Sequence, residues 1–213
     1  MNIIHPNVEF LTPVNGAEIL KHIERCGRVC YKSEELISED SAVKFVGNII
    51  KRGHEAVLEH ASFTVKFTCD RGVSHEIVRH RLAAYCQEST RYCNYGAGKF
   101  GEQITVIFPC YLQAGTPAFR MWKNACENAE VAYFDLLAEG RSPQEARAVL
   151  PNSLKTEVIM TADVREWRHF LNLRCSPAAH PQMREVALKL LAMCHDSIPV
   201  LFDDLWEKYH AEL

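Results

Sequence analysis

Apolar residues recur at helical spacing from Ala17 to Val29, and Ile19, Leu20, Ile23 and Cys26 share one side of the helix this predicts. A second helix is predicted from Ser41, read as its N-cap, to Lys51, with Gly53 just beyond it as the stop. Ser62-Phe63-Thr64-Val65-Lys66-Phe67-Thr68 alternates apolar and polar residues, the pattern of a half-buried strand. From Gly72 to about Arg81 the chain reads as a helix running into a polar segment. Ile104-Thr105-Val106-Ile107-Phe108, ended by Pro109, is a further strand candidate. Pro117 to Leu137 forms the longest predicted helix, and Pro143 opens a short one at its first turn. Ser153 to Thr161 reads as a strand, although Leu154, Val158 and Met160 do not alternate cleanly. Helices over Arg165 to Leu173 and Met183 to Met193 close the set. Strands and helices mix without regular alternation, which predicts an α+β fold rather than a doubly wound sheet.

The composition narrows the class. At 213 residues, 47% hydrophobic and 24% charged, the chain suits one globular domain with a substantial core. No linker, charge block or repeat divides it. A net charge of −3 argues against a general nucleic-acid binder, which would carry a basic excess. No stretch approaches the ~20 apolar residues that span a bilayer, and the first residues lack the basic flank and apolar run of a signal peptide. The nine cysteines include no Cys-x-x-Cys pair, so neither a zinc site nor a disulfide framework is indicated. Reduced thiols in a cytoplasmic protein are the simplest reading.

Three polar clusters could carry chemistry. Between Ser74 and Tyr95 lie His75, Glu76, Arg79, His80, Arg81, Gln87, Glu88, Ser89, Thr90, Arg91, Tyr92 and Asn94. The arginines offer planar forks for phosphate or carboxylate. The interleaved Gln, Ser and Thr complete hydrogen bonding, and Tyr85, Tyr92 and Tyr95 offer flat faces to a heterocycle. Composition alone leaves open a solvated helix face and loop in which Arg and Glu pair with each other. In the second cluster, Arg165 to Arg174, helical spacing gives Arg165, His169 and Asn172 one polar face. Arg174 emerges beside Trp167, Phe170 and Leu171, either capping the helix C-terminus or reaching into a site. In the third, His54 and His60 flank Glu59, but the spacing is not that of a helical metal pair, and turn hydrogen bonding is the better reading. No metal site is expected.

At these residues a resemblance becomes specific. Arg79-His80-Arg81, seven intervening residues and then Ser89 match the Arg-His-Arg-x7-Ser signature of flavin-dependent thymidylate synthases, and the match runs on through Ser89-Thr90-Arg91-Tyr92. His54-x4-Glu59-His60 resembles the family's flavin-side turn. Arg147-x-Val149-Leu150-Pro151 and Phe170-Leu171-Asn172-Leu173-Arg174 resemble its nucleotide- and flavin-binding segments. The resemblance covers about residues 17 to 195. It implies a single domain over residues 1–213 with a mixed or antiparallel sheet flanked by helices.

Carried over by position, the resemblance implies that dUMP is bound by Glu76, Arg79, Gln87, Glu88, Ser89, Thr90, Arg91, Arg147 and Arg174, part of this set reaching it from a neighbouring subunit. FAD would be held by Glu59, Arg79, His80, Arg81, Gln87, Asp163, Val164, Arg165 and His169. Asp163 stands where Asn is common in the family, Glu76 where some members have Gln, Cys30 where a Ser can touch the flavin, and Ala56 where Ser or Thr is usual. Arg174 is the implied catalytic residue, stabilising charge on the uracil ring. The implied reaction is reductive methylation of dUMP to dTMP, with methylenetetrahydrofolate as one-carbon donor, NADPH as reductant and FAD as cofactor. The implied assembly is a homotetramer with sites between subunits, which Tyr92, Tyr95, Trp122 and Tyr133 suit as interface residues. Ser89 is read as a hydrogen-bond donor rather than a nucleophile, because a serine needs a base. Pro109-Cys110-Tyr111 is similar to the Pro-Cys-His turn of the unrelated folate-only synthases but lacks the histidine, and Cys110 is read as structural. Another nucleotide-binding flavin reductase, or a non-catalytic nucleotide- or RNA-binding module, remains the alternative.

Overall fold

The computed structural model describes residues 1–98 and 101–212. Its elements follow the order β1 (Asn2–Ile4), β2 (Asn7–Phe10), α1 (Gly16–Val29), α2 (Ser41–Lys51), β3 (Ser62–Asp70), α3 (Arg71–Ile77), β4 (Ala83–Gln87), β5 (Thr105–Ile107), α4 (Pro117–Ala138), α5 (Pro143–Ala146), β6 (Lys155–Asp163), α6 (Val164–Arg174), α7 (Pro181–Ser197) and α8 (Pro199–Tyr209). One sheet has the order β2-β3-β6-β4, and β1 pairs in parallel with β5. The architecture is α+β, as the irregular succession of elements predicts. Among the described residues no helix is long and apolar enough to cross a membrane.

Two strand-to-helix junctions share one device. Asp70 ends β3 and accepts a hydrogen bond from the Val73 N–H at 2.7 Å, capping α3. Asp163 ends β6 and accepts from the Glu166 N–H at 2.8 Å, capping α6. In each case a carboxylate satisfies an orphan donor and meets the positive end of the helix.

Contacts divide the chain into two compact units interleaved in sequence. The first comprises Met1–Asn7, Phe67–Arg79 and Cys86–Ile159; the second comprises Val8–Lys66, His80–Tyr85 and Met160–Leu213. The core of the first gathers Tyr95, Ile104, Val106, Cys126, Tyr133, Ala146 and Leu154, with Trp122 packed against it and donating to Ser153 Oγ at 2.9 Å. Tyr95 and Tyr133 therefore belong to the core and do not serve as interface residues. In the second unit Trp167 stacks on Phe63 at 5.1 Å and 10° and donates its indole N–H to the Phe63 carbonyl. At Gly27 any Cβ would meet the Phe45 ring at 2.7 Å, so glycine is what lets that ring lie against α1.

Several predicted boundaries shift. Ser41 is the first residue of α2, not its cap; Asp40 holds that position, and the Ser41 hydroxyl accepts from the Ser38 N–H and donates to Glu24. The helix predicted to Arg81 stops at Ile77, because Val78 leaves helical ψ and the chain then joins the sheet as β4. That strand, Ala-Ala-Tyr-Cys-Gln, has no apolar–polar alternation and no β-branched residue, so it does not advertise itself. In β6 the alternation is clean once Thr156 is counted inward: Thr156, Val158, Met160 and Ala162 are all buried. The inward threonine hides the period, and it is satisfied by Gln87 Nε2 at 3.3 Å. Helix α8 has no counterpart in the sequence reading, although Pro199 at its start and Leu201, Phe202, Leu205 and Tyr209 along one stripe carry the signal.

Candidate active site

In the second unit, α6 organises a cleft of about 820 Å³. It is lined by Glu59, Asp163, Arg165 and His169 from the predicted flavin set, and by Glu55, Leu82, Glu166, Arg168, Asn172, Asp204, Leu205 and Lys208. Helical spacing puts Arg165, His169 and Asn172 on the cleft face while Trp167, Phe170 and Leu171 are buried on the other. Arg165 donates to Glu59 Oε1 at 2.5 Å. Arg168 is buried and forms a fork on Asp204, with Nη1 to Oδ1 at 2.9 Å and Nη2 to Oδ2 at 2.7 Å.

The His80 ring lies beside this cleft-forming face, fixed on every side. Its Nδ1 is 2.9 Å from Glu166 Oε1, and its Nε2 accepts from Arg174 Nε at 3.1 Å. The Phe170 ring meets it edge-on at 4.8 Å, and His169 is 5.5 Å away. Burial, followed by the charges of Arg174 and His169, holds the imidazole below its ordinary value against the opposing pull of Glu166. Burial, reinforced by Glu166, pushes the Tyr85 hydroxyl up to about 12, and it donates to the His80 carbonyl at 2.5 Å. The donor atoms of His80, Glu166 and His169 lie within 4.8 Å of one another, a spacing that could hold a metal ion. Both His80 nitrogens are already engaged, however, so the cluster is a hydrogen-bonded one.

In the first unit, Glu76 lies on α3 and Arg79 just beyond it, exposed. A cleft of about 350 Å³ brings Thr90 and Arg147 together with Arg71 and His75. Arg147 donates to Thr90 Oγ1 at 3.3 Å, and Arg91, exposed, donates to Gln144 at 3.0 Å. Ser89 Oγ accepts from the Arg91 N–H at 3.2 Å, a tight turn that presents the signature serine from a loop. Gln87 Nε2 donates to Ser74 Oγ at 2.9 Å. Arg81, in the second unit, is exposed. A third cleft, about 390 Å³ in the second unit, is lined by Cys30, His54, Ala56 and Arg165 among others.

Two residues of the predicted set are engaged inside the protein. Val164 is fully buried and its N–H donates to the Ala61 carbonyl at 2.9 Å, so it serves the core. Glu88 spends both carboxylate oxygens inside its own unit, accepting from Tyr95 at 3.1 Å and from Lys155 at 2.8 Å. Tyr95 and Tyr85 likewise commit their hydroxyls internally, and Tyr92, 77% exposed, is the most open of the three rings. Cys110 is exposed in the turn after β5 rather than packed in a core. Sequence reasoning passed over Glu166, Arg168, Asp204 and Lys208. The first two sit inside a motif already singled out, and the last two lie on α8.

A family model described as Thymidylate synthase complementing protein matches residues 15–200. The chain is similar to the flavin-dependent thymidylate synthase of Geobacter sulfurreducens, 34% identical over 184 residues that cover 83% of this chain and 78% of that protein. It is similar to the enzyme of the same name from Mycolicibacterium vanbaalenii, 32% identical over 217 residues that cover 93% of this chain and 84% of that one. In fold it is similar to a UMP/dUMP methylase from Streptomyces cacaoi solved with 5-Br dUMP, with a TM-score of 0.77, 22% identity and 98% of each chain covered. With the Arg-His-Arg-x7-Ser segment in place and relatives about a third identical over most of its length, this chain belongs to the flavin-dependent thymidylate synthase family.

Proposed function

We propose that this protein methylates dUMP to dTMP, with methylenetetrahydrofolate giving the carbon and NADPH the two electrons, and tetrahydrofolate and NADP as co-products. The observation that carries the reading is the meeting of two signature elements in one unit: Arg174, at the end of α6, is hydrogen-bonded to His80 of the Arg-His-Arg run. When bound, FAD supplies the two-electron redox chemistry that no side chain provides. The residues fit such a group. The cleft on α6 has the volume of a cofactor site, and Arg165, His169, Asn172 and Lys208 line it beside the carboxylates of Glu55, Glu59 and Asp204, of which Arg165 pairs with Glu59 and Arg168 with Asp204. The Asp163 carboxylate is directed at the α6 N-terminus, where the helix offsets its charge.

The chain's own work is binding and polarisation. Arg79, Arg91 and Arg147, with Ser89 and Thr90, would hold the nucleotide, their forks matching phosphate geometry. Arg174 would donate to the uracil carbonyl and stabilise negative charge there as the ring carbon becomes nucleophilic. An arginine suits this because it keeps its proton and donates from a fixed plane. Ser89 serves as a hydrogen-bonding group, since both ring nitrogens of His80 are spent on Glu166 and Arg174 and this histidine cannot act as its base.

A homotetramer with shared sites is part of the proposal, supported by exposed Arg91 and Tyr92 on the signature loop. Purified protein should show flavin absorbance, release FAD rather than FMN, and convert dUMP to dTMP with methylenetetrahydrofolate and NADPH. A colourless protein that takes up no added FAD would overturn the reading. Arg91→Ala and Arg174→Ala chains, each inactive alone, should recover about a quarter of wild-type activity when co-refolded in equal amounts, if one site draws the two arginines from different chains. No recovery despite mixed oligomers would end the shared-site geometry.

A further inference from the structure

The hydrogen-bond chain behind Arg174 has a direction that its atoms dictate. A guanidinium Nε–H can only donate, so the His80 Nε2 it meets at 3.1 Å must accept. A neutral imidazole that accepts at Nε2 carries its proton on Nδ1, and Nδ1 faces Glu166 Oε1 at 2.9 Å, an acceptor. A doubly protonated ring would instead point an N–H at the Arg174 N–H and set two cations against each other. Donors and acceptors agree on one tautomer only.

Glu166 occupies an unusual place for a carboxylate. It is the third residue of α6, where a glutamate commonly folds back to close a capping box on the N-cap residue. Here its backbone N–H bonds Asp163, while its carboxylate lies buried at 6% exposure against His80. Burying a carboxylate is costly unless a donor meets it, and the His80 Nδ1–H is such a donor. His80 is itself immobilised by the Phe170 edge at 4.8 Å and by Tyr85 on its carbonyl at 2.5 Å.

We propose that Glu166 is a positioning residue for Arg174: it holds His80 as the Nδ1–H tautomer, and His80 in turn fixes the plane of the Arg174 guanidinium. Because a guanidinium is planar, setting the direction of Nε–H also sets where its two terminal nitrogens point. A neutral imidazole does this without cancelling the charge. The inference rests on the uracil-polarising role proposed above for Arg174.

The test separates the two claims. In protein labelled with 15N-histidine, long-range proton–nitrogen correlations read the His80 tautomer directly, the signal being assigned by its loss in His80→Gln. Wild type should show a protonated Nδ1 and a bare Nε2 with no substrate present. Glu166→Leu should shift His80 toward the Nε2–H form and lower kcat about 10- to 100-fold with the KM for dUMP little changed, the size expected when a catalytic group is misplaced. Glu166→Gln, whose amide oxygen can still accept from Nδ1–H, should restore the tautomer and most of the lost turnover. If Glu166→Leu does not fold, Glu166→Asp, one methylene too short to reach, should reproduce its shifted tautomer and reduced kcat with the charge retained. An Nε2–H ring in wild type would overturn the proposal. So would wild-type kcat in a folded variant with a shifted tautomer, or a Glu166→Gln protein that keeps the tautomer and stays as slow as Glu166→Leu. Wild-type protein that forms no dTMP would instead overturn the functional reading, and the tautomer would still be decided on its own.

Discussion

Removing Asp204 isolates a cation that the fold has buried. The Arg168 side chain is 9% exposed and its partner Asp204 50%, and the two share a fork with both oxygens engaged. Breaking a fully buried pair costs about 3–5 kcal/mol, whereas an exposed pair is worth about 0.2–1 kcal/mol. This pair lies between, because one partner is wet. Asp204→Ala also leaves Arg168 the Leu201 carbonyl and, 3.6 Å from its Nε, Glu55. The expected loss is therefore about 1.5–2.5 kcal/mol, or roughly 4–8 °C in Tm for a chain of this size. Urea unfolding followed by circular dichroism, at one protein concentration to hold any assembly constant, measures it. The pH dependence has a sign. Burial works to raise the Asp204 carboxyl, but the bonds and charge of Arg168 outweigh it and hold the group below its ordinary value of 3.8. A depressed acid contributes stability that is present above its unfolded value and is lost as pH falls through the folded one. The gap between wild type and Asp204→Ala should thus be full at neutral pH and narrow below 3.8. Replacing both partners, as Arg168→Met with Asp204→Leu, should recover much of the loss, since no charge is then stranded. A deficit under about 0.5 kcal/mol with an unchanged slope, or a gap that does not narrow in acid, would refute the reasoning by making the pair behave as an ordinary surface one.

Arg174→Ala should lower turnover about 100- to 1000-fold with dUMP binding less affected, and Arg174→Lys should also be poor because a point charge lacks the fork; unchanged steady-state turnover would return Arg174 to helix capping. Ser89→Ala should still form dTMP with a raised dUMP requirement, costing about 0.5–1.5 kcal/mol of binding, and complete loss of methylation with dUMP bound would favour a nucleophile. Asp163→Ala should cost about 1 kcal/mol in unfolding measurements through the lost cap, while Asp163→Asn, which can still accept from the Glu166 N–H, should be near neutral. An equal cost for both would mean that the Asp163 charge, not its capping oxygen, matters to α6.

Residue order alone determined the elements whose patterns are local. The stripe from Ala17 to Val29, the alternation of Ser62 to Thr68 and the proline-started α4 could be read directly, because helix and strand periods are written in near neighbours. The Arg-His-Arg-x7-Ser spacing and the polar face of Arg165, His169 and Asn172 were legible for the same reason. Tertiary structure decided which of those polar groups face a cleft and which are consumed internally. Glu166 meets His80 across 86 residues, His80 meets Arg174 across 94, and Arg168 meets Asp204 across 36, separations over which no periodicity runs. Val164 and Glu88 read as site residues beside their neighbours, yet one is sealed in the core and the other is held by Tyr95 and Lys155. A side chain's chemistry is given by its type, but its role depends on which donor or acceptor the fold brings within about 3 Å of it. For His80, whose two partners fix its tautomer, that partnership exists only once the chain has folded.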